Sequence, residues 1–380
     1  LIDNITRTSY ACYKGALHFL QEEVFLLNLV KFSLSVITAV ALLSNASAQT
    51  GPSVLIKRDF SSFQGVPSPD IPKEVVAAIK AAPAIKSVIP ITGSESFGDQ
   101  IIKADEIQFD SGAHLVFTNL SAPWIAIVAH RFKFRDALAY SFIERDMSVR
   151  AGADGGSGSP GARGADNLGE TNRRGNDGHP GGPGGPGGAG TTIQLPTVYI
   201  IAEQLLDNAN KEIPAGILNL AVLIRGIDGG NGGIGGKGGD GGHAGNGKEG
   251  ATSAFDCKDG PGPGGNGGTA GMGGQGGPAG NGGNGGTVFF VALQPASDAF
   301  SYSRVNNQYG VPGNVGRGGP PGSPGAGGSG ADRNGWCGPS GPGNPGVYPN
   351  PVNYGDGNSG QNGSKGEMYV VTLKDLGPFF

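Results

Sequence analysis

Glycine stands at every third position from Gly262 to Gly286, nine positions without an exception, whereas only six of the sixteen residues between them are glycine. The period therefore belongs to the order of the residues and not to glycine content. A strict period of three matches the left-handed extended helix of polyproline II, which has three residues per turn and rises about 3.1 Å per residue. Every third residue then lies on one face, and glycine there admits another backbone. Such a helix makes no internal hydrogen bonds, so a buried one must bond sideways to a neighbour. The neighbours are either two other chains, as in collagen, or further glycine tracts of the same chain.

Of the 74 glycines, 68 follow residue 150, which divides the chain in two. Gly and Pro at this level without a period would point to disorder; the period argues for order. The net charge is −4 and no basic stripe is present, which speaks against nucleic acid as a partner.

Lys31 followed by the apolar run 32–43 and by Ala46-Ser47-Ala48 has the pattern of a secretory signal peptide, assigned to 26–48 and cleaved after Ala48. Its run is short for a membrane span, which leaves no span in the mature form. Residues 1–25 read as an upstream extension. Residues 49–95 read as an N-terminal cap, with Asp70 as N-cap of a short amphipathic helix over 71–82 that uses Val75, Val76 and Ile79.

From residue 96 to 150 the period becomes two. Residues 107–109, 115–117, 125–128, 132–134 and 147–149 read as short strands separated by turns such as Asp110-Ser-Gly112. Spaced this way they suit a β-solenoid. The segment Ile127-Val128-Ala129 recurs as Ile200-Ile201-Ala202 and Phe290-Val291-Ala292, and Val149-Arg150 recurs as Ile224-Arg225. Solenoid strands at 191–225 and 287–309 would thus interleave with glycine arms at 152–190, 226–286 and 310–366, within a glycine-rich region 151–366. A closing strand falls in 367–380.

Each arm has an outgoing and a returning leg, as a hairpin requires and a collagen strand does not. The expected fold is mainly β and irregular, with short β-solenoid rungs carrying a sheaf of polyglycine-II helices. A single chain suffices for it, so a monomer is favoured over a trimer. Off-phase glycine measures how many sides of a helix are packed. Four of ten such positions are glycine in 226–241 and two of twelve in 310–328, so the second arm is expected inside and the third outside.

The tract Gly262-Pro-Gly-Gly265-Asn-Gly-Gly268 and its continuation resemble the polyglycine-II sandwich of the tail-fibre tip adhesins of T-even-like phages, and bacterial collagen-like secreted proteins more loosely. The resemblance covers about half of the mature chain and is one of architecture. It implies a rigid stack whose joining loops bind a host receptor, and no receptor-binding residue carries over. The signal peptide and the strands between the arms depart from that family.

Motifs of other chemistries fail in detail. Gly235-Gly-Lys-Gly-Gly-Asp240 starts like a calcium-binding nonapeptide, but Gly242 replaces the required apolar residue and the motif occurs once. Gly236-Lys237 lacks the Ser or Thr and the helix of a phosphate loop. His114, His130, His179 and His243 show no metal-ligand spacing, and neighbouring acids such as Asp105 and Glu106 alternate faces of a strand. No catalytic, cofactor-binding or metal residue is assigned.

Cys257 and Cys337, the cysteines after the signal, fall in the loops of the second and third arms and are expected to pair in an oxidising compartment, two free thiols being the alternative. The loops 165–174, 251–261 and 329–356 hold the side chains that the tracts lack. Phe255, Arg333, Trp336, Tyr348 and Tyr354 are the candidate ligand-binding tip, because aromatic residues and Arg anchor interfaces. The expected function is a secreted or cell-surface, non-enzymatic protein. A rigid scaffold would present its tip to a surface glycan or receptor, or serve as extracellular matrix structure. The alternatives are a collagen-like trimeric stalk, an ice-binding protein and a polysaccharide-active β-helix enzyme.

Overall fold

The computed structural model describes residues 60–380, so the extension 1–25, the signal peptide 26–48 and residues 49–59 of the expected cap lie outside the described residues. Helix α1 (Lys73–Ala81) comes first. Strands β1 (Lys86–Ile91), β2 (Ser94–Phe97), β3 (Ile101–Phe109), β4 (His114–Phe117), β5 (Trp124–Phe134) and β6 (Ser141–Arg145) follow. The two-residue strands β7 (Glu170–Thr171) and β8 (Arg174–Gly175) precede β9 (Thr197–Leu206) and β10 (Leu220–Leu223). The chain continues with β11 (Ala251–Thr252), β12 (Cys257–Asp259), β13 (Val288–Ala292), helix α2 (Ala296–Phe300), β14 (Arg304–Asn306) and β15 (Met368–Thr372).

The helix begins later than Asp70 suggests. Ile71 precedes Pro72, and a residue before proline is pushed out of the helical region, so the first turn opens at Lys73 without a side-chain cap. Residues 125–128 and 132–134 belong to one eleven-residue strand, β5. The strand expected at 147–149 is instead a turn, with Met147 exposed, and β6 lies just before it.

The strands form two parallel sheets. One has six strands in the order β1-β3-β5-β9-β13-β15, the other five in the order β14-β10-β6-β4-β2. They face each other as a sandwich, which corrects the expected β-solenoid. The reason is visible in β5 and β9, where Ile125 to Ala129 and Val198 to Ala202 are buried on both faces of the sheet. A solenoid rung has one solvated face; a run apolar on both faces belongs to a covered parallel sheet. Between the sheets lies the larger core, with Phe109, Phe132, Phe134, Ile143, Leu220 and Phe290. On the far face of the six-stranded sheet a second layer packs Val75 and Ile79 of α1, with Leu376 and Phe379, against Ala126, Val128, Ile201 and Val291. Helix α1 therefore covers a sheet face. Lys103 of β3, almost fully buried, fastens this layer by donating to the Ile79 carbonyl (3.0 Å) and the Phe379 carbonyl (3.1 Å).

The recurring segments lie side by side. Ala129 pairs with Ala202, and Ala202 with Ala292, across β5, β9 and β13. Each return of the chain from a glycine arm thus adds a strand in the same register.

The glycine tracts 152–164, 175–190, 226–247, 262–286, 310–328 and 341–366, numbered one to six, run side by side and bond laterally through the backbone. Tracts one, three and five run parallel, as when Gly155 donates to Asn231 O (2.8 Å) and Gly232 to Asn314 O (2.8 Å). Tracts two, four and six do likewise, as when Gly178 donates to Asn266 O (2.9 Å) and Gly267 to Asn344 O (2.8 Å). The two layers cross-bond antiparallel: Gly185 to Ser159 O (2.8 Å), Gly236 to Gly185 O (2.8 Å), Gly274 to Gly236 O (2.8 Å), Gly319 to Gly274 O (2.8 Å). Each bond recurs every third residue. Tracts three and four touch four neighbours each. The second arm is accordingly central.

The third position of each triplet points outward and often supplies a further acceptor. Asp154 Oδ1 accepts from the Asn231 amide (2.7 Å), and Asn231 Oδ1 accepts from the Asn314 amide (2.9 Å). Asp240 accepts from the Ser323 amide (2.7 Å), and Asn284 from the Ser364 amide (2.8 Å). Asn and Asp recur in these slots because a short side-chain oxygen reaches the one amide per triplet that the backbone leaves open.

Where sandwich and tracts meet, Arg145 at the end of β6 is buried. It donates to the carbonyls of Arg225 (2.8 Å), Asp146 (2.7 Å) and Val149 (2.8 Å).

Candidate functional site

The far end of the tracts is built from three turns. Between tracts one and two, β7 and β8 pair as a small hairpin whose turn residues Asn172 and Arg173 have positive φ. Between tracts three and four, β11 and β12 pair antiparallel and lift Phe255 to the apex, where it is 90 % exposed. After tract five, Asn334 and Cys337 bridge each other around Gly335, whose φ of +55° suits glycine.

Side chains tie the three turns together. Cys257 and Cys337 form a disulfide with their Cα atoms 4.9 Å apart. Arg173 of the first turn donates to the carbonyls of Glu249 (2.9 Å) and Gly260 (3.1 Å) and pairs with Asp259 (3.0 Å) of the second. Lys248 pairs with Glu170 (2.9 Å). Asn334 donates to Gly250 O (2.9 Å). Trp336 donates its indole N–H to Ala254 O (3.2 Å) yet stays 64 % exposed, so its ring is held by one edge and mostly open to solvent.

Phe255, Trp336 and the exposed Arg333 are therefore at the tip. Tyr348 and Tyr354 are not. Ala270 of tract four bonds Val347 O (3.0 Å) and Gly273 bonds Val352 O (2.9 Å), so tract six already runs beside tract four at this level. Eight residues separate Gly262 from Ala270, about 25 Å at the rise of such a helix. The two tyrosines, both exposed, belong to a side excursion over 348–354. The stretch 329–356 is thus a tip turn, a returning leg and a bulge. The turn-tying role of Arg173 was not apparent from sequence; its position across from the Asp259 loop is the signal that a hairpin reading of the arms offers.

Other titratable groups serve the scaffold. His114 bonds Glu144 (2.9 Å) and stacks on Phe142, while His130 bonds Glu203 (2.8 Å) and stacks on Phe380. His243 Nδ1 accepts from the Ala326 amide (3.1 Å), in the slot that Asn and Asp fill elsewhere. Asp240 of the nonapeptide-like stretch also pairs with Lys237 (2.9 Å). The Ser323 amide, then Lys237, hold its carboxyl below the usual carboxylate range. Among the described residues no three His, Cys, Asp or Glu gather as a metal site, and no helix is long and apolar enough to cross a membrane. Compared with family models, with curated proteins and with solved structures, the chain matches none of them.

Proposed function

We propose that the protein is a non-enzymatic surface-binding protein, secreted or displayed at the cell surface. In this reading the glycine tracts are a stiff mount and the tied turns at their far end are the binding face. One observation carries it: two large aromatic side chains, Phe255 and Trp336, are exposed on turns joined by a disulfide. An aromatic ring exposed on a fixed backbone loses little conformational freedom on binding, which is how preorganised binders gain affinity. Arg333, exposed three residues before Trp336 in the same turn, adds a cation suited to acidic or polyhydroxylated groups. The ligand class is a surface glycan or a cell-surface receptor, in the manner of the tail-fibre adhesins that the tracts resemble. The disulfide supports an oxidising compartment, because such bonds persist outside the reducing cytosol.

The test is a glycan and cell-surface array probed with the protein and with Phe255→Ser/Trp336→Ser. Binding by the parent that falls at least about tenfold in the variant, a loss typical of removing interface anchors, supports the reading. Equal binding by both sinks it. Arg333→Glu, which touches no core, is the second variant and should weaken binding to acidic glycans.

A further inference from the structure

Within each layer of tracts the backbone donors point one way. Tract one donates to three and three to five; tract two donates to four and four to six. In tract three the residue after an accepting carbonyl is the next donor: Asn231 O accepts from Gly155, and Gly232 donates onward to Asn314 O, both at 2.8 Å. These onward slots are glycine at every third residue from Gly226 to Gly241, and in tract two from Gly175 to Gly190. A Cβ on Gly232 would collide with Gly277 O and with the Gly316 nitrogen. Alanine is the largest residue that the slots accept in the first two arms. Ala244 donates to Ala326 O, Ala270 to Val347 O and Ala279 to Asn358 O, each at 3.0 Å.

The third arm departs from this pattern. In tract five the same slots hold Pro312, Val315, Gly318, Pro321, Pro324 and Gly327. Proline has no N–H to donate, and the Gly318 amide is taken by Asp356 Oδ1 (2.8 Å). In tract six the slots after the accepting carbonyls of Gly341 and Asn344 hold Pro342 and Pro345, and the slot after Ser364 holds Lys365. In the first two arms every tract proline (Pro160, Pro180, Pro183, Pro186, Pro263 and Pro278) stands in an outward slot instead. At the opposite edge the carbonyls of Asp154, Ser157 and Pro160 on tract one, and of Asp177, Pro180 and Pro183 on tract two, receive no backbone amide among the described residues.

We infer that the third arm is a stop, which keeps a second copy of this chain from adding to the tracts edge to edge. Open carbonyls on one edge and free donors on the other would let copy bond copy as arm bonds arm within the chain. Such a contact is head to tail and does not close, so it grows into a filament. The sandwich does not forbid it. Strands β1 and β3 lie beyond β5 on the side of tract one, so an added copy must be turned end for end to clear them. The two layers run antiparallel, so that turn exchanges them and the tract directions match again. Edge strands of sheets are guarded in the same way, by proline and charge. Here proline removes the donors and Lys365 adds the charge. Copies that end on such a stop stay single, whatever the tip binds.

The test is Pro312→Ala/Pro321→Ala/Pro324→Ala/Pro342→Ala/Pro345→Ala, which restores five N–H groups with a residue the slots accept elsewhere. Sedimentation velocity and electron microscopy follow it up to about 100 µM, where complexes of micromolar Kd are saturated. The parent should sediment as one species at every concentration, and most of the variant should assemble into filaments or larger species as concentration rises. Pro320→Ala, in an outward slot, should behave as the parent. Pro321→Ala/Pro324→Ala is the milder variant and should assemble to a smaller extent. A folded variant that stays single overturns the inference, as does a parent that assembles through its tracts or a Pro320→Ala control that assembles equally. If both variants melt far below the parent and neither assembles, the prolines stiffen the arm and stop nothing.

Discussion

The carbonyl of Gly185 on tract two occupies the space that a side chain on Gly274 of tract four would fill. Gly274 also donates to Gly236 O and accepts from the Gly319 amide, both at 2.8 Å, so it meets three other tracts. Gln275, its neighbour in sequence, is exposed. Gly274→Val should therefore break at least two lateral bonds at about 1 kcal/mol each and push the tracts apart, lowering stability by more than about 2 kcal/mol. Gln275→Val should stay within about 0.5 kcal/mol. Thermal unfolding followed by circular dichroism compares them, and equal midpoints would refute lateral packing of tract four.

Arg145 should resist even conservative replacement. Its guanidinium reaches three carbonyls at the base of tracts one and three, and it is buried with its charge. One ammonium cannot reproduce that fork. Arg145→Lys should cost about 2 kcal/mol or more, since hydrogen bonds to charged groups contribute about 1.5–3 kcal/mol. Urea unfolding gives the value, and a midpoint unchanged from the parent would show the fork to be dispensable.

Acid should loosen the outward ladders late. The His243 amide, and after it Arg163, lower the Asp166 carboxyl, as the Ser323 amide and Lys237 lower that of Asp240. A carboxyl whose folded pKa is depressed contributes stability that is fully present above its unfolded value, about 3.9, and is lost as pH falls through the folded one. The melting temperature should hold from pH 7 to near that value and drop below it. In Asp166→Asn/Asp240→Asn, which keeps the acceptor oxygens but cannot titrate, the drop should be shallower; an identical acid profile would remove these two groups from the ladder's pH response.

The disulfide closes a separation of 80 residues. Chain-entropy bookkeeping assigns such a loop roughly 4.5 kcal/mol. Cys257→Ser/Cys337→Ser should lose up to that amount in denaturant unfolding, and non-reducing peptide mapping of the parent should show the linked pair. Two freely alkylatable thiols in the native protein would contradict it.

Period and composition alone determined much here. A Gly residue at every third position implies close approach on one face, and a second small residue per triplet implies approach on two. That density ranks the second arm as central before any coordinates. The repeated Ile127-Val-Ala, Ile200-Ile-Ala and Phe290-Val-Ala segments foretell neighbouring strands, since equivalent returns of the chain stack in equal register. The cysteine pair followed from both residues sitting at the turn of an arm. Sorting the strands into two facing sheets was beyond the reach of alternation. Alternation tells which side chains are apolar but not which sheet a strand joins or that α1 covers the outer face. The tip could not be delimited either. Tract six resumes its lateral bonds at Gly343 and Gly346, with no regular run of triplets to announce it. Lateral bonding needs only a free amide and no side chain at the point of contact, a condition met by two glycines in a stretch that reads as loop. Only the tertiary structure, by laying that stretch against tracts four and five, separates Trp336 at the tip from Tyr348 and Tyr354 on the flank.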